Sequence, residues 1–264
     1  LITSAANPKV KLVRKLIEQR KARYRERAFV VEGTRLLKEA LQAGALPEFC
    51  LYTTGWLDSG GKGTFDAMKS AGVPCFEISE EVLHLVSDTA TPQGVVAVVP
   101  IQERPWPERP PLVLVLDGVR EPGNLGAILR TASAAGVRGI LLTRGSVDPY
   151  NPKAVRAGMG AHFKVALRYV AGVASGDAWN DYAAGYRLYV SAVSGGTSLW
   201  KVRWEAPAAL VVGGEAFGVG QRSLEAADVK VTIPMSSDVE SLNVVVASGI
   251  LLFTASHAIG VVGE

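Results

Sequence analysis

LVLVLDGVREPGNLGAILRTA, residues 112–132, decides the fold of the larger part of this chain. Leu112–Leu116 is an uninterrupted apolar run, the mark of a strand buried on both faces of a parallel sheet. Gly118, Pro122 and Gly123 then force a turn, and a helix follows from about Asn124 to Ala135, closed by Gly136. The same strand–turn–helix rhythm continues downstream. Strands are expected at Gly139–Thr143, Phe163–Leu167, Arg187–Ala192, Ala208–Val212 and Val229–Ile233. A helix opens near Pro152, and a long apolar helix runs from about Ser241 to Ile259, with Ser241 as its cap. Such alternation predicts an α/β domain on a mostly parallel sheet, whose ligands sit at the carboxyl ends of the strands.

Upstream of this domain the composition breaks. Residues 100–111, PIQERPWPERPP, hold five prolines in twelve positions and read as an extended linker. Before it, residues 24–99 form a second, smaller α/β unit. Its strand Ala28–Glu32 is followed by a helix over Thr34–Ala43, short strands at Phe49–Thr53 and Pro74–Ile78, and a β-branched strand at Gly94–Val99. Residues 1–23 complete the division as a basic helix, its apolar stripe formed by Val10, Val13, Leu16 and Ile17. The expected boundaries are thus 1–23, 24–99, 100–111 and 112–264.

Charge is uneven along the chain. Of its net charge of +3, residues 1–28 carry +7, from nine basic and two acidic side chains, and the rest carries −4. A basic stripe on a slightly acidic body fits a polyanion partner, and equally a solvated helix. Composition excludes more than it assigns. At 48% hydrophobic and 20% charged residues the chain is neither disordered nor fibrous. Cys50 and Cys75 have no CxxC or CxxH neighbours, and His84, His162 and His257 lie far apart, which argues against a sequence-local metal site or a disulfide framework. The longest apolar run, Val244–Phe253, is broken by Ser248 and Gly249 and falls short of the ~20 residues of a membrane span. The start, Leu1-Ile-Thr-Ser, lacks the apolar core of a signal peptide, so a cytoplasmic protein is expected.

Three segments put Gly, Asn and Ser at strand-to-helix turns. In the first, Gly118 and Gly123 have P-loop spacing, but Asn124-Leu125 stand where Lys-Ser/Thr is needed, which disfavours a nucleoside triphosphatase. The second, Gly213-Gly-Glu-Ala-Phe-Gly-Val-Gly220, lacks the downstream Tyr-x-x-x-Lys of a short-chain dehydrogenase. The third is Ile233-Pro-Met-Ser-Ser-Asp-Val-Glu-Ser-Leu-Asn-Val244.

Taken in this order, the three resemble the motifs of the SpoU (TrmH-like) branch of the SPOUT RNA methyltransferases. The first matches D-x-v-x-x-P-x-N-x-G-a-i-x-R-t-A at Asp117, Pro122, Asn124, Gly126, Arg130 and Ala132. The second matches G-x-E-x-x-G at Gly213, Glu215 and Gly218. The third matches I-P-M…S-L-N-V at Ile233, Pro234, Met235, Ser241, Leu242, Asn243 and Val244. Residues 24–99, through Phe29-Val-Val-Glu-Gly-Thr-Arg and Thr91-Pro-Gln-Gly, resemble the substrate-binding domain of the family's ribosomal-RNA members.

The resemblance implies a C-terminal SPOUT domain with a trefoil knot, a homodimer with active sites near its interface, and S-adenosylmethionine as cofactor. The implied reaction is methylation of a ribose 2′-hydroxyl in ribosomal RNA. Transfer RNA as substrate, or a catalytically inactive knotted RNA-binding assembly factor, are the alternatives. By the same resemblance, Gly213, Ile233, Leu242, Gly218 and Met235 hold the cofactor, and Asn124, Glu215, Ser241, Asn243 and Arg130 form the catalytic set. The family's arginine is proposed as a base. A guanidinium keeps its proton at neutral pH, so binding an RNA phosphate and stabilising the developing alkoxide suit Arg130 as well. No metal is implied.

Overall fold

A computed structural model of the 264-residue chain describes residues 1–215 and 218–262. Ala216 and Phe217, within the second glycine-rich segment, and Gly263 and Glu264, at the expected end of the last domain, lie outside the described residues.

In chain order the first elements are α1 (Pro8–Glu18), α2 (Arg20–Glu26), β1 (Ala28–Glu32), α3 (Thr34–Gln42), β2 (Phe49–Tyr52), α4 (Thr54–Trp56), α5 (Lys62–Ser70), β3 (Cys75–Glu77), α6 (Glu80–Val86) and β4 (Val95–Pro100). There follow β5 (Leu112–Asp117), α7 (Pro122–Ala134), β6 (Gly139–Thr143), α8 (Pro152–Gly158), β7 (Ala166–Val170), α9 (Asp177–Ala183) and β8 (Arg187–Ser191). The last are β9 (Thr197–Ser198), β10 (Ala208–Gly213), α10 (Gln221–Glu225), β11 (Val229–Thr232) and α11 (Val244–Ala258). The chain divides into two units, one of Leu1–Gln102 with Asp148–Phe163, the other of Glu103–Val147 with Lys164–Glu264.

The first unit is built on a four-stranded mixed sheet in the order β1-β4-β2-β3. β4 runs antiparallel to both β1 and β2, and only β2 and β3 are parallel. Alternation along the strands feeds two cores. Phe29, Val31, Val95, Ala97 and Val99 face Leu37, Ala40 and Met68 on one side, whereas Val30, Val96 and Val98 face Val10, Val13 and Leu16 on the other. Helices thus cover both faces, which explains the near-continuous apolar sequence of Val95–Val99.

The basic segment expected as one helix is two. The backbone extends at Gln19 (φ −119°, ψ 111°) between α1 and α2. Its apolar stripe is part of the unit's core, with Val10, Val13 and Leu16 fully buried. One of its nine cations is unavailable to solvent. Arg23, 3% exposed, donates from Nε and Nη2 to Asp148 Oδ2 at 2.7 Å each and from Nη1 to the Leu16 carbonyl at 2.6 Å. Asp148 also accepts from the Tyr150 backbone N–H (3.0 Å) and the Tyr24 hydroxyl (3.1 Å). With Phe163 stacked on Phe29 at 6.0 Å, this ties residues 148–163 into the first unit.

The second unit carries a seven-stranded, all-parallel sheet in the order β7-β6-β5-β10-β8-β11-β9. β5 and β10 lie side by side at its centre, in register from Leu112/Ala208 to Asp117/Gly213. The strand expected at Phe163–Leu167 begins at Ala166, because Ala161–Phe163 coil into a 3-10 turn. The last helix begins at Val244 and is capped by Asn243, whose Oδ1 accepts from the Val245 N–H at 2.9 Å. Ser241, expected to be the cap, is exposed on the preceding loop. Among the described residues no helix is long and apolar enough to cross a membrane.

Candidate active site

The chain leaves β5 towards β6 on one side of the central pair, while β10 has β8 on the other. This switch point opens a crevice at the carboxyl ends of the strands. Asp117, the last residue of β5, ties the surrounding loops together. Its Oδ1 accepts from Thr143 Oγ1 (2.9 Å), and its Oδ2 from the Gly220 N–H (3.0 Å) and Ser223 Oγ (2.8 Å). Thr143 ends β6, Gly220 caps α10 and Ser223 lies in its first turn, so one carboxylate aligns β6 with the start of α10.

Gly213, which ends β10, and Gly214 just after it are needed for close backbone approach. A Cβ on Gly213 would lie 2.0 Å from the Gly218 carbonyl carbon, and one on Gly214 would lie 2.2 Å from the Gly118 carbonyl oxygen. The first and second glycine-rich loops are thereby pressed against each other at the strand ends. Glu215 completes the junction: its Oε1 accepts from Asn124 Nδ2 at 2.8 Å and its Oε2 from the Arg120 N–H at 3.3 Å. Burial would raise its titration, but hydrogen bonds from the Asn124 side chain and from the backbone of residues 215, 120 and 121 outweigh it. They hold the carboxyl below the ordinary carboxylate range. Asn124 is itself oriented by the start of α7, its N–H donating to the Glu121 cap at 2.6 Å.

Beside this junction lies a cleft of about 860 Å³, a size suited to a small-molecule cofactor. Eight of the ten expected site residues line it: Gly213, Glu215, Gly218, Ile233, Met235, Ser241, Leu242 and Asn243. The second and third glycine- and serine-rich segments, apart in sequence, become two walls of one cavity. Asn124 stands behind it, joined through Glu215. Arg130 does not line it, and projects from the exposed face of α7 with no hydrogen bond or ion pair among the described residues. The third wall was missed by sequence reasoning. Residues 191–195, Ser-Ala-Val-Ser-Gly, follow β8 into the cleft, and Lys230 of β11 lines it too. The signal was present, since small and polar residues again follow a strand at its carboxyl end.

These walls fit S-adenosylmethionine. Val212, Val231 and Leu251 offer apolar surface to a purine, and bare main chain at Gly213 and Gly214 admits edge hydrogen bonds where a side chain would intrude. Among the described residues no group of three metal-ligating side chains occurs.

Comparison with known proteins agrees with this geometry. Residues 111–253 match the SpoU rRNA Methylase family, and residues 7–97 match the MRM3-like substrate binding domain. The 23S rRNA (guanosine(2553)-2'-O)-methyltransferase RlmP of Bacillus subtilis is 33% identical, across 96% of this chain and 97% of that protein. The mitochondrial rRNA methyltransferase 3 of Mus musculus is 33% identical, across 90% of this chain and 69% of that protein. The crystal structure of an AdoMet-bound rRNA methyltransferase from Sinorhizobium meliloti superposes with a TM-score of 0.82 at 30% identity, covering 96% of each chain.

Proposed function

This chain belongs to the SpoU rRNA methylase family, and we propose that it methylates a ribose 2′-hydroxyl of ribosomal RNA. S-adenosylmethionine is its methyl donor. The observation that carries the reading is the cleft of about 860 Å³ walled by the second and third motif segments, with Asn124 and Glu215 bonded at its edge. Ribosomal rather than transfer RNA is favoured by the match of residues 7–97 to the MRM3-like substrate binding domain and by the 23S-directed B. subtilis relative.

When bound, the cofactor supplies a methyl group activated by its sulfonium. The chain's task is to hold a ribose oxygen in line with it, since alignment alone can contribute several kcal/mol. Main chain at Gly213, Ile233 and Leu242 holds the cofactor, with Gly218 and Met235 shaping the loops around it. Glu215 is a poor base, because its hydrogen bonds favour the carboxylate and weaken its pull on a proton. It acts instead as the acceptor that fixes Asn124, whose carbonyl oxygen stays available to a ribose hydroxyl. Ser241 and Asn243 flank the same opening. Arg130 contributes a mobile cation that grips an RNA phosphate and stabilises charge developing on the attacking oxygen.

Arg130 does not line the cleft of its own chain, which suits a homodimer in which it serves the partner's cleft. The outer face of α11 supports that assembly: Val246 and Phe253, two turns apart, are 51% and 47% exposed, and α11 packs beside α7. The trefoil knot belongs to the same reading.

The deciding experiment is transfer of labelled methyl to purified ribosomal and transfer RNA. Label is expected on a ribose of ribosomal RNA. With Arg130→Ala it should fall at least ~100-fold, the scale of losing one transition-state donor, while cofactor affinity is unchanged. Label on transfer RNA alone, or none on either despite cofactor binding, would overturn the assignment.

A further inference from the structure

The chain has only two cysteines, 25 residues apart in sequence, and the fold makes them register partners: Cys50 of β2 pairs with Cys75 of β3 in the parallel half of the first sheet. Opposed residues on neighbouring strands point to the same face, and both belong to the core that includes Met68 and Val73. Strand spacing of about 4.8 Å lies within the roughly 4.4–6.8 Å Cα separation that a disulfide spans.

The two positions differ in a way that matters chemically. Cys50 is fully buried and Cys75 partly exposed, on β3 at the sheet's edge. The Cys75 thiol donates to the Val73 carbonyl at 3.4 Å and the Cys50 thiol to the Leu51 carbonyl at 3.7 Å. The neighbouring Cys50 thiol, aided by the Lys69 ammonium of α5 and opposed by burial, draws Cys75 below the ordinary thiol value. The nearness of Cys75 and burial push Cys50 well above it. An accessible sulfur with thiolate character next to a shielded partner is the arrangement of an attacking and a resolving cysteine.

We propose that Cys50 and Cys75 form a hydroperoxide-reactive dithiol that closes to an intramolecular disulfide across β2 and β3. The Cys75 thiolate attacks the peroxide O–O bond. An S–O bond forms, the O–O bond breaks, and the departing oxygen leaves as water or alcohol with a proton from solvent. Cys75 is then a sulfenic acid, oxidised by two electrons. The Cys50 sulfur attacks it, the S–S bond forms, and the S–O bond breaks. The hydroxide takes the Cys50 proton and leaves as water. Two thiols and one hydroperoxide thus give one disulfide, one alcohol or water, and one further water. The site lies in the first unit and does not depend on which RNA is methylated.

The test is exposure of the reduced full-length protein to a small excess of hydrogen peroxide, followed by thiol titration in denaturant and mass spectrometry. Wild type should lose both thiols with a mass decrease of about 2 Da, and the fragments bearing residues 50 and 75 should be linked. Cys50→Ser should stop at a Cys75 sulfenic acid, a gain of about 16 Da that a dimedone probe captures. Cys75→Ser should keep its remaining thiol under the same conditions. Accumulation of sulfenic or sulfinic acid in wild type, disulfides only between molecules, or Cys75→Ser reacting as fast as wild type would overturn the proposal. The wild-type linkage decides the matter even where a variant folds poorly.

Discussion

His162 shows how much one side chain can conceal from the sequence. In the sequence it stands far from the other two histidines and from both cysteines. In the fold it is buried among Phe29, Tyr150 and the 148–163 segment, and its Nε2 donates to the Pro149 carbonyl at 2.7 Å. Its Nδ1 has no hydrogen-bond partner among the described residues. Protonation would place a new N–H donor where nothing accepts it, in a site that also strips water from the charge. Burial therefore lowers its titration from 6.5 to about 4, despite the Pro149 carbonyl and the Asp148 carboxylate, which favour the charged form. Between these values the unfolded chain takes up a proton that the folded chain refuses, so stability declines as pH drops through this window and levels off below it. The full effect is roughly 3 kcal/mol. His162→Gln keeps a donor and cannot titrate. Thermal melting between about pH 7 and 4 should show a shallower acid decline in this variant than in wild type. Equal slopes would place the acid sensitivity elsewhere.

At the scale of elements, α1 and α2 separate exposed charge from charge that holds the fold. Lys11, Arg14, Lys15 and Lys21 are exposed, whereas Arg23 is sealed against Asp148. Reversing Lys11, Lys15 and Lys21 to Glu should weaken RNA binding and flatten its salt dependence by about 0.7–0.9 in log–log slope per lost phosphate contact. Melting and cofactor affinity should stay unchanged. Arg23→Ala should do the opposite, costing about 3–5 kcal/mol by stranding a buried carboxylate. Removing residues 1–27 outright would be a poor test, since it takes Val10, Val13 and Leu16 out of the core. The sequence exposed most of these elements, because hydrophobic period and glycine stops are local properties. It misplaced the cap of α11, since Ser241 and Asn243 are both good caps and only the path of the loop after Ile233 chooses between them. It could not foresee that β4 runs antiparallel to its neighbours, because nothing within a strand names its partner.

For the whole molecule, the site was legible as three motifs but not as a cavity, because the wall at 191–195 carries no motif and Arg130 does not line the cleft. The proposed dimer turns that displacement into a measurement. Two chains, one carrying Arg130→Ala and the other Gly213→Val, which blocks the cleft, should each be inactive alone. If Arg130 serves the partner's cleft, mixed dimers should recover about a quarter to half of wild-type methyl transfer, since one intact cleft would face one intact arginine. No recovery from verified mixed dimers would mean that each chain uses its own. The division of the chain carries a further consequence. The first unit owns two separate pieces of sequence, Leu1–Gln102 and Asp148–Phe163. Recombination at the proline-rich linker alone would exchange only the first of them. The transplanted sheet would then meet a foreign Asp148 and Phe163 where Arg23 and Phe29 expect their own. Viable chimaeras with relatives must inherit both pieces together, so the segment 148–163 should follow the ancestry of the amino-terminal third of the chain rather than that of the residues on either side of it.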